Sequence, residues 1–249
     1  MFNFDSMKTE WFASWFDSPY YHTLYQNRND EEAKLFISNL MSNLNLPLNS
    51  TILDLACGKG RHSVTLNELG YDVLGVDLSP NSIEKASVFS NSKLKFGVHD
   101  MRETINGERF DAILNLFTSF GYFDDMKDNE RVIQSIHEML NKKGILVIDF
   151  MNATKVINNL VLEEEKIVDD VHFKIKRSFD GQHIFKNIQF EADGNAYDFT
   201  ERVQAIRLKE FEQLLKENQF QILRTFGDFN LTPFEESTAD RLILIAQKK

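Results

Sequence analysis

Apolar residues form short continuous runs and helical stripes over residues 51–150, and strict alternation after residue 150. The runs Thr51-Ile-Leu-Asp-Leu, Tyr71-Asp-Val-Leu-Gly-Val-Asp77, Leu94-Lys-Phe-Gly-Val-His, Phe110-Asp-Ala-Ile-Leu-Asn-Leu and Ile145-Leu-Val-Ile-Asp-Phe each predict a buried strand. Between them, residues 61–69 predict a helix stopped near Gly70. Ser79 and Pro80 open a second helix as N-cap and first helical residue. Residues 127–140 predict a third, with Val132, Ile136, Met139 and Leu140 on its buried side and Gly144 closing it. Strands alternating with helices argue for a parallel sheet covered on both faces. Upstream, Ala33, Ile37, Leu40, Met41 and Leu44 form one stripe of a helix over 31–44.

Beyond residue 150, Val171, Phe173, Ile175 and Phe179 alternate with His172, Lys174, Lys176 and Ser178, the signature of a half-buried strand. Asp180-Gly181 and Asp193-Gly194 are hairpin turns, and Tyr197, Phe199 and Val203 continue the alternation. The expectation is an antiparallel meander of about three strands. A helix bearing Leu208, Phe211, Leu214 and Leu215 follows, then strands over 221–226 and 241–247. The predicted organisation is a helical, aromatic-rich cap over 1–50, a core over 51–155, a β insertion over 156–206, and the core's last helix and terminal hairpin over 207–249.

Composition narrows the class. A hydrophobic share of 42% and a charged share of 27% are those of an ordinary globular chain. The formal charge of −10 disfavours a nucleic-acid partner. The one cysteine, Cys57, excludes an internal disulfide framework and a Cys-cluster zinc site. No metal-ligand cluster stands out, so no metal is expected. No run reaches the roughly 18 apolar residues of a membrane span. Residues 1–6 lack the basic segment and apolar run of a signal peptide, so a cytoplasmic protein is expected.

Of 11 glycines, Gly58 and Gly60 sit one residue apart between a strand and a helix, and Asp77 ends the next strand. Glycines let a backbone approach a ligand where a Cβ would clash. Helix-start amides point at that ligand, and a carboxylate at the second strand's tip can accept hydrogen bonds from a ribose diol. The combination predicts a nucleoside site rather than a mere tight strand-to-helix turn. A dinucleotide loop wants a third glycine where Ser63 stands. Asp54 puts a carboxylate where such a strand is normally apolar; buried there, it needs loop amides or a ligand ammonium as partners.

Ile52-Leu-Asp-Leu-Ala-Cys-Gly-Lys-Gly60, Gly75-Val-Asp77-Leu-Ser, Asp100-Met101, Phe110-Asp-Ala-Ile-Leu-Asn115 and Lys143-Gly-Ile-Leu-Val-Ile-Asp149 occur in one order. In that order and spacing the chain resembles the class I S-adenosylmethionine-dependent methyltransferases over residues 50–150, with Ala56 where glycine is common. The resemblance implies an α/β fold: a Rossmann-like, seven-stranded, mostly parallel sheet with an antiparallel last strand, plus the inserted antiparallel meander. It implies S-adenosyl-L-methionine as cofactor. Asp77 would hold the ribose with Leu78 beside it, and Asp100 with the Met101 backbone the adenine. Asp54, Ala56, Gly58 and Gly60 would frame the methionine end, and Asn115 would carry backbone contacts beneath the sulfonium.

Arg61, a cation opposing the helix dipole, is expected either to face an anion such as the methionine carboxylate or to lie solvated on the surface. His62 reads as a helix-surface histidine. Tyr21 and Tyr25 are expected to fold over the cofactor as a lid, whereas ordinary packing accounts for Trp11, Phe12, Trp15 and Phe16. Candidate general bases are His22, Tyr122 and Asp149, none singled out by spacing. Phe117, Thr118 and Tyr122 after the fourth strand, with Phe150 and Asn152 after the fifth, are the expected substrate wall. The fourth strand ends Asn115-Leu-Phe-Thr, without the prolines of the base-amino methyltransferases. The expected acceptor is therefore an N or O of a small molecule, served by a monomer or homodimer without membrane partner. Two alternatives stand beside this: a non-catalytic S-adenosylmethionine-binding module and a nicotinamide-dependent oxidoreductase.

Overall fold

The computed structural model describes residues 11–26 and 30–249. In chain order its strands are β1 (Thr51–Leu55), β2 (Asp72–Asp77), β3 (Leu94–Val98), β4 (Phe110–Asn115), β5 (Leu140–Met151), β6 (Glu163–Val168), β7 (Val171–Phe179), β8 (His183–Ala192), β9 (Asn195–Gln204), β10 (Phe220–Phe226) and β11 (Arg241–Lys248). Its helices are α1 (Trp11–Phe16), α2 (Pro19–Leu24), α3 (Asp30–Leu44), α4 (Arg61–Glu68), α5 (Pro80–Ser87), α6 (Met126–Met139), α7 (Ala153–Asn158) and α8 (Leu208–Glu217). The chain divides into two compact units, Arg28–Asn159 with Ala205–Lys249, and Met1–Asn27 with Leu160–Gln204.

The larger unit is a seven-stranded sheet in the order β10-β11-β5-β4-β1-β2-β3. β1 to β5 pair in parallel, while β11 runs antiparallel to both β5 and β10. The sheet is the expected one, and its central strands are apolar on both faces because helices cover both. Phe36, Ile37, Leu40 and Met41 of α3 pack with Ile52, Val73, Leu114 and Ile243. On α8, Phe211 meets the rings of Phe120 and Phe150. Ser79 caps α5 as its sequence requires, its Oγ accepting from the Ser82 amide at 3.0 Å, with Pro80 in the first turn.

Helix α6 does not run on to Gly144. Leu140 is already extended and pairs with Phe110, and the register shifts before Ala112 pairs with Ile145. Residues 141–144 are absorbed in this irregularity, with Lys143 at φ +61°. Helix α7, capped by the Asn152 side chain, was not expected from the apolar pattern.

The smaller unit is a four-stranded antiparallel sheet in the order β6-β7-β8-β9, one strand more than expected. The additional strand β6 joins β7 through Asp169 and Asp170 at φ +47° and +64°, a turn with both central residues left-handed. Trp15 and Leu24 pack with Phe173, Ile175, Ile188 and Phe190, and Phe16, Tyr20, Tyr21 and Tyr25 lie against this cluster. The 1–50 segment is thus divided rather than one cap: α1 and α2 belong to the antiparallel sheet, and α3 to the main sheet. The side chains of Trp11 and Phe12, and all of residues 1–6, lie outside the described residues.

Candidate functional site

The turn after β1 has Ala56, Gly58 and Gly60 at φ +65°, +55° and +82°. The Cys57 amide donates to the Val76 carbonyl at 2.9 Å, tying the turn to β2. The two glycines serve different ends. A Cβ at Gly60 would lie 2.7 Å from the Phe96 ring, so Gly60 is required by packing. A Cβ at Gly58 would meet nothing within 4 Å among the described residues. Asp77 closes this cradle: one oxygen accepts from the Gly58 amide at 2.9 Å and the other from the Ser79 amide at 2.9 Å.

Beneath the turn, Asp54 is buried and accepts from the Ser63 hydroxyl at 2.5 Å. Its partner is a hydroxyl from α4, not a loop amide, and it stands at the position where a dinucleotide loop would carry its third glycine. Burial pushes the Asp54 carboxyl up to about 6; the Ser63 hydrogen bond opposes this and the Asp77 charge adds to it. At the sheet edge of the same mouth, Asn115 is buried, its amide donating to the Leu55 carbonyl at 3.1 Å. Its Oδ1 is buried with no hydrogen-bond partner among the described residues.

His62 is buried in α4 rather than on the helix surface as expected, and its Nε2 has no hydrogen-bond partner among the described residues. Burial, with a smaller contribution from Arg61, pushes its imidazole down to about 3. An unfolded His62 protonates below about 6.5, while the folded one stays neutral down to about 3, so this residue removes stability as pH falls through that window. Asp54 acts in the opposite sense in an overlapping range, because its folded carboxyl holds a proton that the unfolded one releases. Asp54 is common to the wild type and a His62→Phe variant, so comparing the two isolates His62. Between about pH 7.5 and about pH 4.5, urea denaturation is expected to show the variant losing about 2–3 kcal/mol less than wild type. Parallel losses in the two proteins would contradict this.

Beyond β4 the chain is left-handed at Phe117 and Thr118, with φ +66° and +60°. Asp149 of β5 holds both: its carboxylate accepts from the Phe117 amide at 2.8 Å and its carbonyl from the Thr118 amide at 2.9 Å. Arg241 of β11 completes the brace, its Nε 2.8 Å from the Asp149 carboxylate and its Nη2 donating to the Thr118 hydroxyl at 3.0 Å. The Phe117 ring lies under the Arg61 guanidinium at 4.3 Å and stacks on Phe229 at 6.0 Å.

Several expected residues stand elsewhere or do other work. Asp149 is fully buried and ion-paired, so it is not a free base. Phe150 is fully buried against Phe211, 5.3 Å between ring centroids, and is core rather than substrate wall. Asn152 is buried; its side chain caps α7 and donates to the Glu236 and Ala239 carbonyls at 2.8 Å. Tyr122 is half-buried in the connection to α6, and Leu78 and Met101 are half-buried beside Asp77 and Asp100. His22 lies in α2 of the smaller unit, its ring 5.3 Å from Tyr21. The contacts of Tyr21 and Tyr25, expected over the cofactor, are with the antiparallel sheet and its helices. Tyr25 donates to the Glu201 carboxylate and accepts from Lys186, and Tyr21 packs on Trp15 at 5.6 Å. Two residues not singled out in the sequence bear on the site. Arg241 braces Asp149, and Arg102 forks onto the Asp100 carboxylate, its Nη2 at 2.6 Å.

A family model described as a methyltransferase domain matches residues 48–218. A Bacillus subtilis (strain 168) chain named as methyltransferase YqeM is 32% identical over 216 residues, 82% of this chain and 86% of that one. The glycine/sarcosine N-methyltransferase of Aphanothece halophytica is 29% identical over 239 residues, 89% of this chain and 83% of that one. Among solved structures, an S-adenosylmethionine-dependent methyltransferase from Clostridium acetobutylicum superposes with a TM-score of 0.79 at 20% identity, covering 92% of this chain and 96% of that one. With this fold, this glycine turn and this family match, the chain belongs to the class I S-adenosylmethionine-dependent methyltransferases.

Proposed function

We propose that the chain methylates a nitrogen of a small molecule and holds S-adenosylmethionine in the cradle of Asp54, Gly58, Gly60 and Asp77. The observation that carries this reading is the glycine turn itself: at Gly58 a Cβ would meet nothing within 4 Å among the described residues, and the Asp77 carboxylate at the tip of β2 fixes that turn. The unpartnered, buried Asn115 Oδ1 at the end of β4 fits the same group. So does the Asp100-Met101 pair at the end of β3, for an adenine.

The cofactor supplies an electrophilic methyl group when bound. The chain's task is to orient and to exclude water. Asp77 and Asp100 would fix the nucleoside, and Gly58 leaves room for it. The braced Phe117–Thr118 backbone would present the acceptor in near-attack geometry, an effect of several orders of magnitude in rate without any proton transfer. At the carboxyl ends of β1 and β5, Asp54 is buried and Asp149 is buried and ion-paired, and His62 in the first turn of α4 is held neutral. Such a site suits an amine, which need only be presented unprotonated, better than a hydroxyl, which benefits from a base.

The names of the relatives agree with an amine acceptor: glycine and sarcosine for the Aphanothece enzyme, and a sugar amine for a Streptomyces venezuelae relative. A cytoplasmic location belongs to the same reading, supported by one buried cysteine. No helix among the described residues is long and apolar enough to cross a membrane.

The test is incubation of the full chain with S-adenosylmethionine and a panel of glycine, sarcosine, an amino sugar and a phenol, read by mass spectrometry. A methylated amine with stoichiometric S-adenosylhomocysteine is expected. Methylation of the phenol alone would move the acceptor to oxygen. Cofactor binding without transfer to any acceptor would favour the non-catalytic module.

A further inference from the structure

The loop after β3 carries a tightly built ion pair that the reading above does not use. Arg102 approaches the Asp100 carboxylate with three donors. Its backbone amide donates to Oδ1 at 2.9 Å, its Nη2 to Oδ2 at 2.6 Å, and its Nε is shared between the two oxygens at 3.0 Å. The pair is mostly shielded, with side-chain exposures of 18% for Arg102 and 27% for Asp100. The guanidinium is itself held from the other side. It lies 4.8 Å over the ring of Phe123, a buried residue of the β4–α6 connection, and its Nη1 is 3.6 Å from Asp128 of α6. Arg131 then ties Asp128 to Glu103, at 3.3 and 2.9 Å. The fork is thus anchored in three segments, the β3 loop, the β4–α6 connection and α6.

A lone aspartate at a loop can turn about its side-chain torsions and offer a lone pair in many directions. The four contacts fall two on each oxygen, so the plane of the carboxylate and the edge it exposes are both fixed. A planar, bidentate guanidinium also fixes the carboxylate plane, which an ammonium would not do. Burial works to raise the Asp100 carboxyl, and the Arg102 hydrogen bonds outweigh it, so the group stays below its ordinary range and is an acceptor only.

We propose that Arg102 is a positioning residue: by clamping Asp100 in one orientation it sets the selectivity of the cofactor site for an amino-bearing purine over an oxo-purine. This rests on the reading of Asp100 as the adenine contact. A clamped acceptor rewards an exocyclic N–H and repels an exocyclic carbonyl. An unclamped Asp100 can turn to accept instead from the ring N–H that an oxo-purine carries, and the discrimination shrinks.

The test compares two ligands by calorimetry, S-adenosylhomocysteine and its inosine counterpart, S-inosylhomocysteine. They are titrated into wild type, Arg102→Gln, Arg102→Lys and Asp100→Asn, each checked for folding by thermal unfolding. The readout is the ratio of the two affinities. A general loosening of the loop lowers both alike and leaves the ratio unchanged, whereas a lost clamp changes it. Wild type is expected to favour the adenine ligand by about tenfold or more. Both Arg102 variants are expected to lower that ratio by about threefold or more, lysine included, because it keeps the charge and loses the fork. Asp100→Asn is expected to remove the preference. A folded Arg102 variant with the wild-type ratio, alongside an Asp100→Asn variant that loses it, overturns the clamp and leaves the Asp100 reading standing. An unchanged ratio in Asp100→Asn overturns both.

Discussion

Arg241→Met is expected to lower folding stability by about 3–5 kcal/mol, because it leaves a buried carboxylate without its cation. Asp149 is fully buried, and Arg241 is its ion-pair partner at 2.8 Å. The same carboxylate holds the Phe117 amide, and Arg241 holds the Thr118 hydroxyl. Removing the guanidinium therefore also loosens two consecutive left-handed residues, a conformation that costs roughly 1–2 kcal/mol each and persists only when its surroundings enforce it. Guanidinium denaturation should show a lower midpoint at an unchanged slope. Adding Asp149→Asn to Arg241→Met should restore part of the loss, since the stranded charge is then gone. A loss under about 1 kcal/mol for Arg241→Met would mean that the pair is not a brace.

Asp77→Ala is expected to weaken S-adenosylhomocysteine binding by roughly tenfold to a hundredfold, toward the upper end. Two losses combine. The carboxylate no longer accepts from the ligand's hydroxyls, and the Gly58 and Ser79 amides lose the group that holds them at 2.9 Å. The turn would then have to be ordered by the ligand itself, which costs binding free energy. Asp77 is half-buried at a strand tip, so the fold should survive.

The main sheet was legible because its strands are continuous apolar runs of ordinary length, bounded by Gly, Pro and cap residues. Ser79 and Pro80 marked a helix start to the residue. Strand β6 was not legible: Glu163-Glu-Glu-Lys carries no apolar alternation, because only Glu164 and Val168 of that strand are even half-buried. Its turn uses Asp169-Asp170 where the usual signal is a glycine. The glycine turn, Asp54 and Asp77 were readable from spacing alone because they lie within one β-α-β unit. The brace was not, because Arg241 lies 92 residues from Asp149 and only the antiparallel pairing of β11 with β5 brings them together. Phe150 shows the complementary limit. Asp149 and Phe150 are neighbours in one apolar run, and the run does not say which of them faces the core helix α8. Tyr21 and Tyr25 were assigned by their polar rings, which serve equally well to cover a sheet whose inner face carries both Phe173 and Glu201.

In the proposed function, the turn from Asp54 to Gly60, closed by Asp77, holds the cofactor. Calorimetric titration of S-adenosylhomocysteine into the wild type and Asp77→Ala tests it most directly. A one-to-one binding isotherm is expected for the wild type, and for the folded variant an affinity lower by roughly tenfold to a hundredfold. Equal affinities in the two proteins, or no binding by the wild type, would contradict it.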